Sequence, residues 1–123
     1  MAAQTPSLRS GIVDVLRLLS SAEQQLEYER RVPSISVPIE LESIWFDDTY
    51  IPSSHAFKSY FFPEELEAMA VFNTYFIDQK ELLPKCPDGI HSWLNTETWQ
   101  GIMREAGRAL ATFDPESKFF ELS

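Results

Sequence analysis

Cysteine is almost absent from this chain of 123 residues: Cys86 is the single one. An internal disulfide framework is therefore excluded, which favours a reducing compartment. Glycine is scarce as well, with four in the whole sequence, and none forms the Gly-rich loop that cradles phosphates. Histidine occurs twice, as His55 and His91, far apart in sequence and without a recognised ligand spacing to Cys86. No apolar run approaches the roughly 20 residues of a membrane-spanning helix. The opening MAAQTPSLRSGIVDVLRLLSS is interrupted by Asp14 and Arg17, so it does not read as a signal peptide, and the expected location is cytoplasmic.

Basic residues are also few. Ten Lys and Arg face 19 Asp and Glu, a formal charge of −9. The excess sits in the middle: residues 32–83 carry nine carboxylates against Lys58 and Lys80, whereas residues 1–31 balance to zero. Such a surface repels phosphate backbones and anionic lipid, so nucleic acid and membranes are not the expected partners. A basic protein partner would be steered towards the central segment.

What is present in abundance is apolar and aromatic side chains. Hydrophobic residues make up 44% of the chain, with nine Phe, four Tyr and three Trp, enough for one core. The length fits a single globular domain over 1–123. Leu8, Ile12, Val15, Leu19, Ala22 and Leu26 recur at spacings of three and four and predict one long helix over 7–31, entered at Pro6-Ser7 and ended by Pro33. Ser21 with Gln24 resembles a capping box that would split it, but the stripe keeps its phase across them. The segment 34–48 is ambiguous. Ile35, Val37, Ile39, Leu41 and Trp45 alternate like a strand, yet Pro38 suits the start of a helix with Glu40 in its first turn. The preferred reading is an extended piece at 34–37 and a short helix at about 38–48, with Leu41, Ile44 and Trp45 on one face.

Pro63, Glu64 and Glu65 open a second long helix, whose buried side is read as Phe62, Leu66, Met69, Phe72 and Phe76. Residues 51–62 read as a loop with aromatic anchors, and Pro87-Asp88-Gly89 as a turn. Ile90, Ser92 and Leu94 could add one short strand. Thr96 caps a third long helix striped by Trp99, Ile102, Met103, Ala106, Leu110 and Phe113. Gly101 and Gly107 within it point to close approach by a neighbouring helix. The tail, with Phe119, Phe120 and Leu122, is expected to dock. The fold class is mainly α: a compact bundle of three long helices plus one short helix, with a minimal β element possible and α+β as the alternative.

No catalytic constellation emerges. Cys86 and His91 are five residues apart, but no third residue orients them, so the thiol reads as inert. Ser53-Ser54-His55 has no nucleophile elbow around it. Asp47 and Asp48, adjacent on a helix, point about 100° apart and cannot easily share an ion. No cofactor and no metal is expected. The candidate residues are instead those of a contact face: Glu40, Glu42, Asp47, Asp48, Glu64 and Glu65 for charge, with Tyr50 and Tyr60 as aromatic contacts. Trp45 and Phe57, interleaved with them, could supply buried anchors of such an interface, although core burial is expected for most of these rings.

The leading expectation is a small acidic, non-enzymatic protein that masks a basic partner surface, for example a bacterial immunity protein that neutralises a toxin. One alternative is a small enzyme or ligand-binding domain using carboxylates in an aromatic pocket, Asp47 or Asp48 converging with His55 or His91. The other is a homo-oligomeric structural protein with an apolar stripe as its seam.

Overall fold

The computed structural model describes residues 8–85 and 89–113. They form α1 (Leu8–Ser20), α2 (Ala22–Arg31), α3 (Val37–Ser43), a π-helical turn (Ile44–Thr49), α4 (His55–Lys58), α5 (Pro63–Lys80), α6 (His91–Leu94) and α7 (Glu97–Phe113). The class is mainly α, with no strand among the described residues. The Pro6-Ser7 entrance, Cys86 and the aromatic tail lie outside them.

The long first helix of the sequence reading is two helices. Ser21 is extended at φ −123° and its hydroxyl accepts the Gln24 N–H at 3.1 Å, the N-cap that the capping-box alternative contained. The reason is Gln25, which is fully buried. Its amide nitrogen donates to the carbonyls of Leu18 (3.0 Å) and Leu19 (3.1 Å) at the C-terminal end of α1, where the Leu18 carbonyl also accepts the Ser21 N–H at 3.3 Å. Its oxygen accepts the indole N–H of Trp99 at 2.9 Å. A continuous helix would bond those carbonyls internally and hold Gln25 away from Trp99. The in-phase stripe could not reveal this, because α2 buries only Gln25 and leaves Leu26 39% exposed.

Neither anticipated strand forms. Val37, Leu41 and Trp45, spaced by four, are buried, while Ile35 and Ile39, which alternation would have buried, stay exposed. Pro38 sits in the first turn of α3, and the Glu40 N–H donates to the Ser36 carbonyl at 2.9 Å. At the other site Ile90 and Trp93 point inward at helical spacing. Ile90 gives its N–H to the Glu29 carboxylate at 2.8 Å, just after Gly89, whose φ of +86° turns the chain.

The helix opened by Pro63 ends at Lys80 and buries Met69, Phe72 and Phe76, but Phe62 is 63% exposed rather than inward. Helix α7 starts where expected: the Thr96 hydroxyl accepts the Trp99 N–H at 3.1 Å. It packs against α1 and α5. At Gly101 the approach is tight, for a Cβ there would lie 2.6 Å from the Tyr75 hydroxyl, whereas at Gly107 the nearest atom, Ser20 Cβ, is at an ordinary 3.8 Å.

Aromatic rings run through the interior in one connected series. Trp93, Trp99, Phe76, Phe72, Trp45, Tyr50, Phe57, Phe61 and Phe113 each meet the next at centroid distances of 4.8–6.0 Å. Most of these contacts are tilted or edge-on, the arrangement that ring quadrupoles favour. The series ties α6 and α7 to α5, the π turn and α4.

Candidate partner-binding surface

The segment Ile44-Trp45-Phe46-Asp47-Asp48-Thr49 is wound one residue wider than an α-helix, and the Tyr50 N–H donates to the Trp45 carbonyl at 3.0 Å. That i, i+5 register stacks Tyr50 flat on Trp45, centroids 4.9 Å apart at 6°. Trp45 is fully buried, and its indole N–H donates to Asn73 on α5 at 3.0 Å. Phe46 turns to the neighbouring face, half-buried, 4.8 Å from Phe76. Asp47 and Asp48 are left on the outside, Asp47 accepting the Ser43 hydroxyl at 3.1 Å.

Between this turn and the C-terminal half of α5 runs an open groove of about 440 Å³, lined by Ile39, Glu42, Ser43, Phe46, Asp47, Ile77 and Lys80. Its two isoleucines are large apolar side chains facing solvent, Ile39 56% and Ile77 44% exposed. Lys80 crosses it: its ammonium donates to Glu42 at 2.8 Å and lies 5.5 Å from the centre of the Phe46 ring. The Glu42 hydrogen bond holds the Lys80 pKa above its ordinary value. A smaller hollow of about 110 Å³ continues the groove past Glu81, Leu83 and Lys85, sharing Ile39, Glu42 and Lys80 with it.

The sequence candidates do not fall into one patch. Glu42 and Asp47 line the groove, and Asp48 is exposed beside it. Glu40 is half-buried in the first turn of α3; burial first, then its charge, raises the Tyr28 phenol pKa. Tyr50 is half-buried against Trp45 and Phe57, and that burial raises its own pKa. Tyr60 and Glu64 are exposed, but Glu64 is 13 residues from Ile77 on α5, about 20 Å at the rise of an α-helix.

Glu65 requires a correction. It is 2% exposed and cannot present charge to a partner. Its carboxylate accepts the Phe62 N–H at 2.9 Å and a fork of hydrogen bonds from Arg9, one of them at 2.6 Å. Glu64 and Glu65, adjacent in the first turn of α5, looked equivalent in sequence. The helical face that Glu65 shares with Met69 and Phe72 turns it inward, and Arg9 supplies the compensating charge.

Ile39, Phe46, Ile77 and Lys80 were not among the contact residues expected from sequence. For Ile39 the strand-like alternation concealed the exposure. The groove that holds Asp47 contains neither histidine, so the cleft that a carboxylate–histidine enzyme would need is not formed there. Among the described residues no group of three or more His, Cys, Asp or Glu is placed to hold a metal ion, and no helix is long and apolar enough to cross a membrane. Comparison with protein-family models, with curated proteins and with solved structures returned no match.

Proposed function

We propose that this chain is a non-enzymatic binding protein that masks a basic surface of a partner protein, in the way a bacterial immunity protein covers the cationic active site of a toxin such as a nuclease. The groove between the π turn and α5 carries this reading. It combines exposed isoleucines, the kind of apolar contact that supplies interface affinity, with carboxylates that steer a cationic partner and exclude others. The formal charge of −9 adds a long-range component of the same sign.

The test is capture of a partner from the native host, followed by association rates measured across ionic strength. A steered partner associates more slowly as salt rises, because screening shortens the reach of the field. An association rate that is flat from low to high salt overturns the charge mechanism. Asp47→Asn with Asp48→Asn should slow association without unfolding the chain, since both side chains are exposed.

A further inference from the structure

Lys80 occupies a cradle that suits a cation from elsewhere. The Glu42 carboxylate lies at 2.8 Å from the Lys80 ammonium and the Phe46 ring at 5.5 Å, with Asp47 on the same wall and Ile39 and Ile77 exposed to either side. A carboxylate beside an aromatic face is a general receptor for organic cations. We infer that the groove between the π turn and α5 receives an arginine-bearing amphipathic segment of a partner protein, whose guanidinium displaces the Lys80 ammonium from Glu42 and Phe46. This rests on the masking reading above and names the chemistry of its partner.

Charge complementarity selects the occupant. The groove and the hollow that continues it are lined by three carboxylates, Glu42, Asp47 and Glu81, against Lys80 and Lys85, with Asp48 exposed beside them. A second copy of a chain with a formal charge of −9 would bring like charge to this face. Arginine fits better than lysine, because its planar fork can pair with a carboxylate while stacking on a ring, and it gives up hydration water more readily than an ammonium. The apolar side chains of the segment then cover Ile39 and Ile77, which in the free protein remain in water. Lys80 turns outward at little cost, since its side chain is already 29% exposed and a partly exposed ion pair stabilises little. It acts as an internal competitor that keeps the cradle from binding stray cations.

The experiment uses fluorescence anisotropy of the full chain with a labelled synthetic amphipathic peptide carrying two arginines and flanking leucines. Matching peptides carry lysine or neutral citrulline in place of arginine. The arginine peptide is expected to bind about tenfold tighter than the citrulline peptide, the size of one charge-assisted hydrogen bond. Phe46→Leu, which keeps the packing against Phe76 but removes the ring face, should weaken it several-fold. Lys80→Gln should tighten it, whereas Lys85→Gln, which removes the same formal charge from a lysine paired with Glu81, should change it much less. Equal affinity for the arginine and citrulline peptides, or equal effects of Lys80→Gln and Lys85→Gln, overturns the cradle. Circular dichroism of each variant separates lost binding from lost fold. If a native partner is captured with salt-sensitive association, yet Phe46→Leu and Lys80→Gln leave its affinity unchanged, the masking reading stands and this site for it falls.

Discussion

The indole N–H of Trp99 in α7 donates to the side-chain oxygen of Gln25 in α2 at 2.9 Å, across 74 positions of sequence. Both residues are fully buried, and the same amide gives its hydrogens to Leu18 and Leu19 at the end of α1. One neutral side chain thus serves three polar groups: it is the acceptor of the Trp99 N–H, a donor to the Leu19 carbonyl, and a second donor to the Leu18 carbonyl, which also accepts the Ser21 N–H at 3.3 Å.

Replacing it should therefore be costly. Gln25→Leu keeps most of the volume but leaves the Trp99 N–H without its acceptor and the two carbonyls without this donor. The expected loss is about 3 kcal/mol, within the range for buried polar groups left unsatisfied. Urea denaturation of the variant should show a lower midpoint at an unchanged slope. A loss well under 1 kcal/mol would mean that water replaces the amide.

Arg9 and Glu65 form a second long-range tie, between α1 and α5. The guanidinium also lies 5.6–5.7 Å from the centres of the Phe62 and Phe113 rings, and Glu65 keeps its pKa-raising hold on Arg9. Glu65→Ala removes the acceptor of the Phe62 N–H and leaves Arg9 without its carboxylate, at about 3 kcal/mol for breaking a pair whose glutamate side is buried. Arg9 itself is 36% exposed, which keeps the figure at the low end of that class. Glu65→Gln retains an oxygen for Phe62 and should cost distinctly less. Comparison of the two variants by chemical denaturation checks this order.

How far the sequence could be read depended on whether a signal was local or tertiary. The start of α5 at Pro63 and the cap of α7 at Thr96 depend on residues within one turn, and both were legible. The break at Ser21 was written in the Ser21–Gln24 pair, yet its decisive partner, Trp99, lies in another helix, so periodicity alone chose the wrong alternative. The strand at 34–37 failed because alternation and helical spacing share Val37, Leu41 and Trp45, and only burial separates them. At the candidate site, Glu42 and Asp47 were found by charge. Ile39, Ile77 and Phe46 were not, because an apolar residue announces burial in sequence, and its exposure follows from packing alone.

Gly101 offers a test of helix packing with a sign that depends on one hydroxyl. Alanine at a helix interior is normally favoured over glycine by roughly 1 kcal/mol. Here the added Cβ would meet the Tyr75 oxygen at 2.6 Å, while the ring carbon bearing it stays at 3.6 Å. Gly101→Ala should therefore destabilise the natural chain. In a Tyr75→Phe background the same change should become neutral or stabilising. Thermal melts of the four proteins complete a double-mutant cycle. A Gly101→Ala penalty that persists unchanged in the Tyr75→Phe background would place the obstruction elsewhere in the α5–α7 contact.

Three proton-bearing groups give stability an alkaline limit. Burial raises the pKa of Tyr50, burial and the Glu40 charge raise that of Tyr28, and the Glu42 hydrogen bond raises that of Lys80. Each group holds its proton more tightly in the folded than in the unfolded chain. Their contribution is complete below the unfolded values of 10.0 for the phenols and 10.5 for the ammonium, and is lost as pH rises through the higher folded values. Melting temperatures should accordingly be insensitive to these groups from neutrality to about pH 9 and then fall. Tyr50→Phe, which keeps the ring on Trp45 without an ionisable hydroxyl, should make that fall shallower. A profile of the same steepness in Tyr50→Phe would mean that the buried phenol at the π turn takes no part in the alkaline transition.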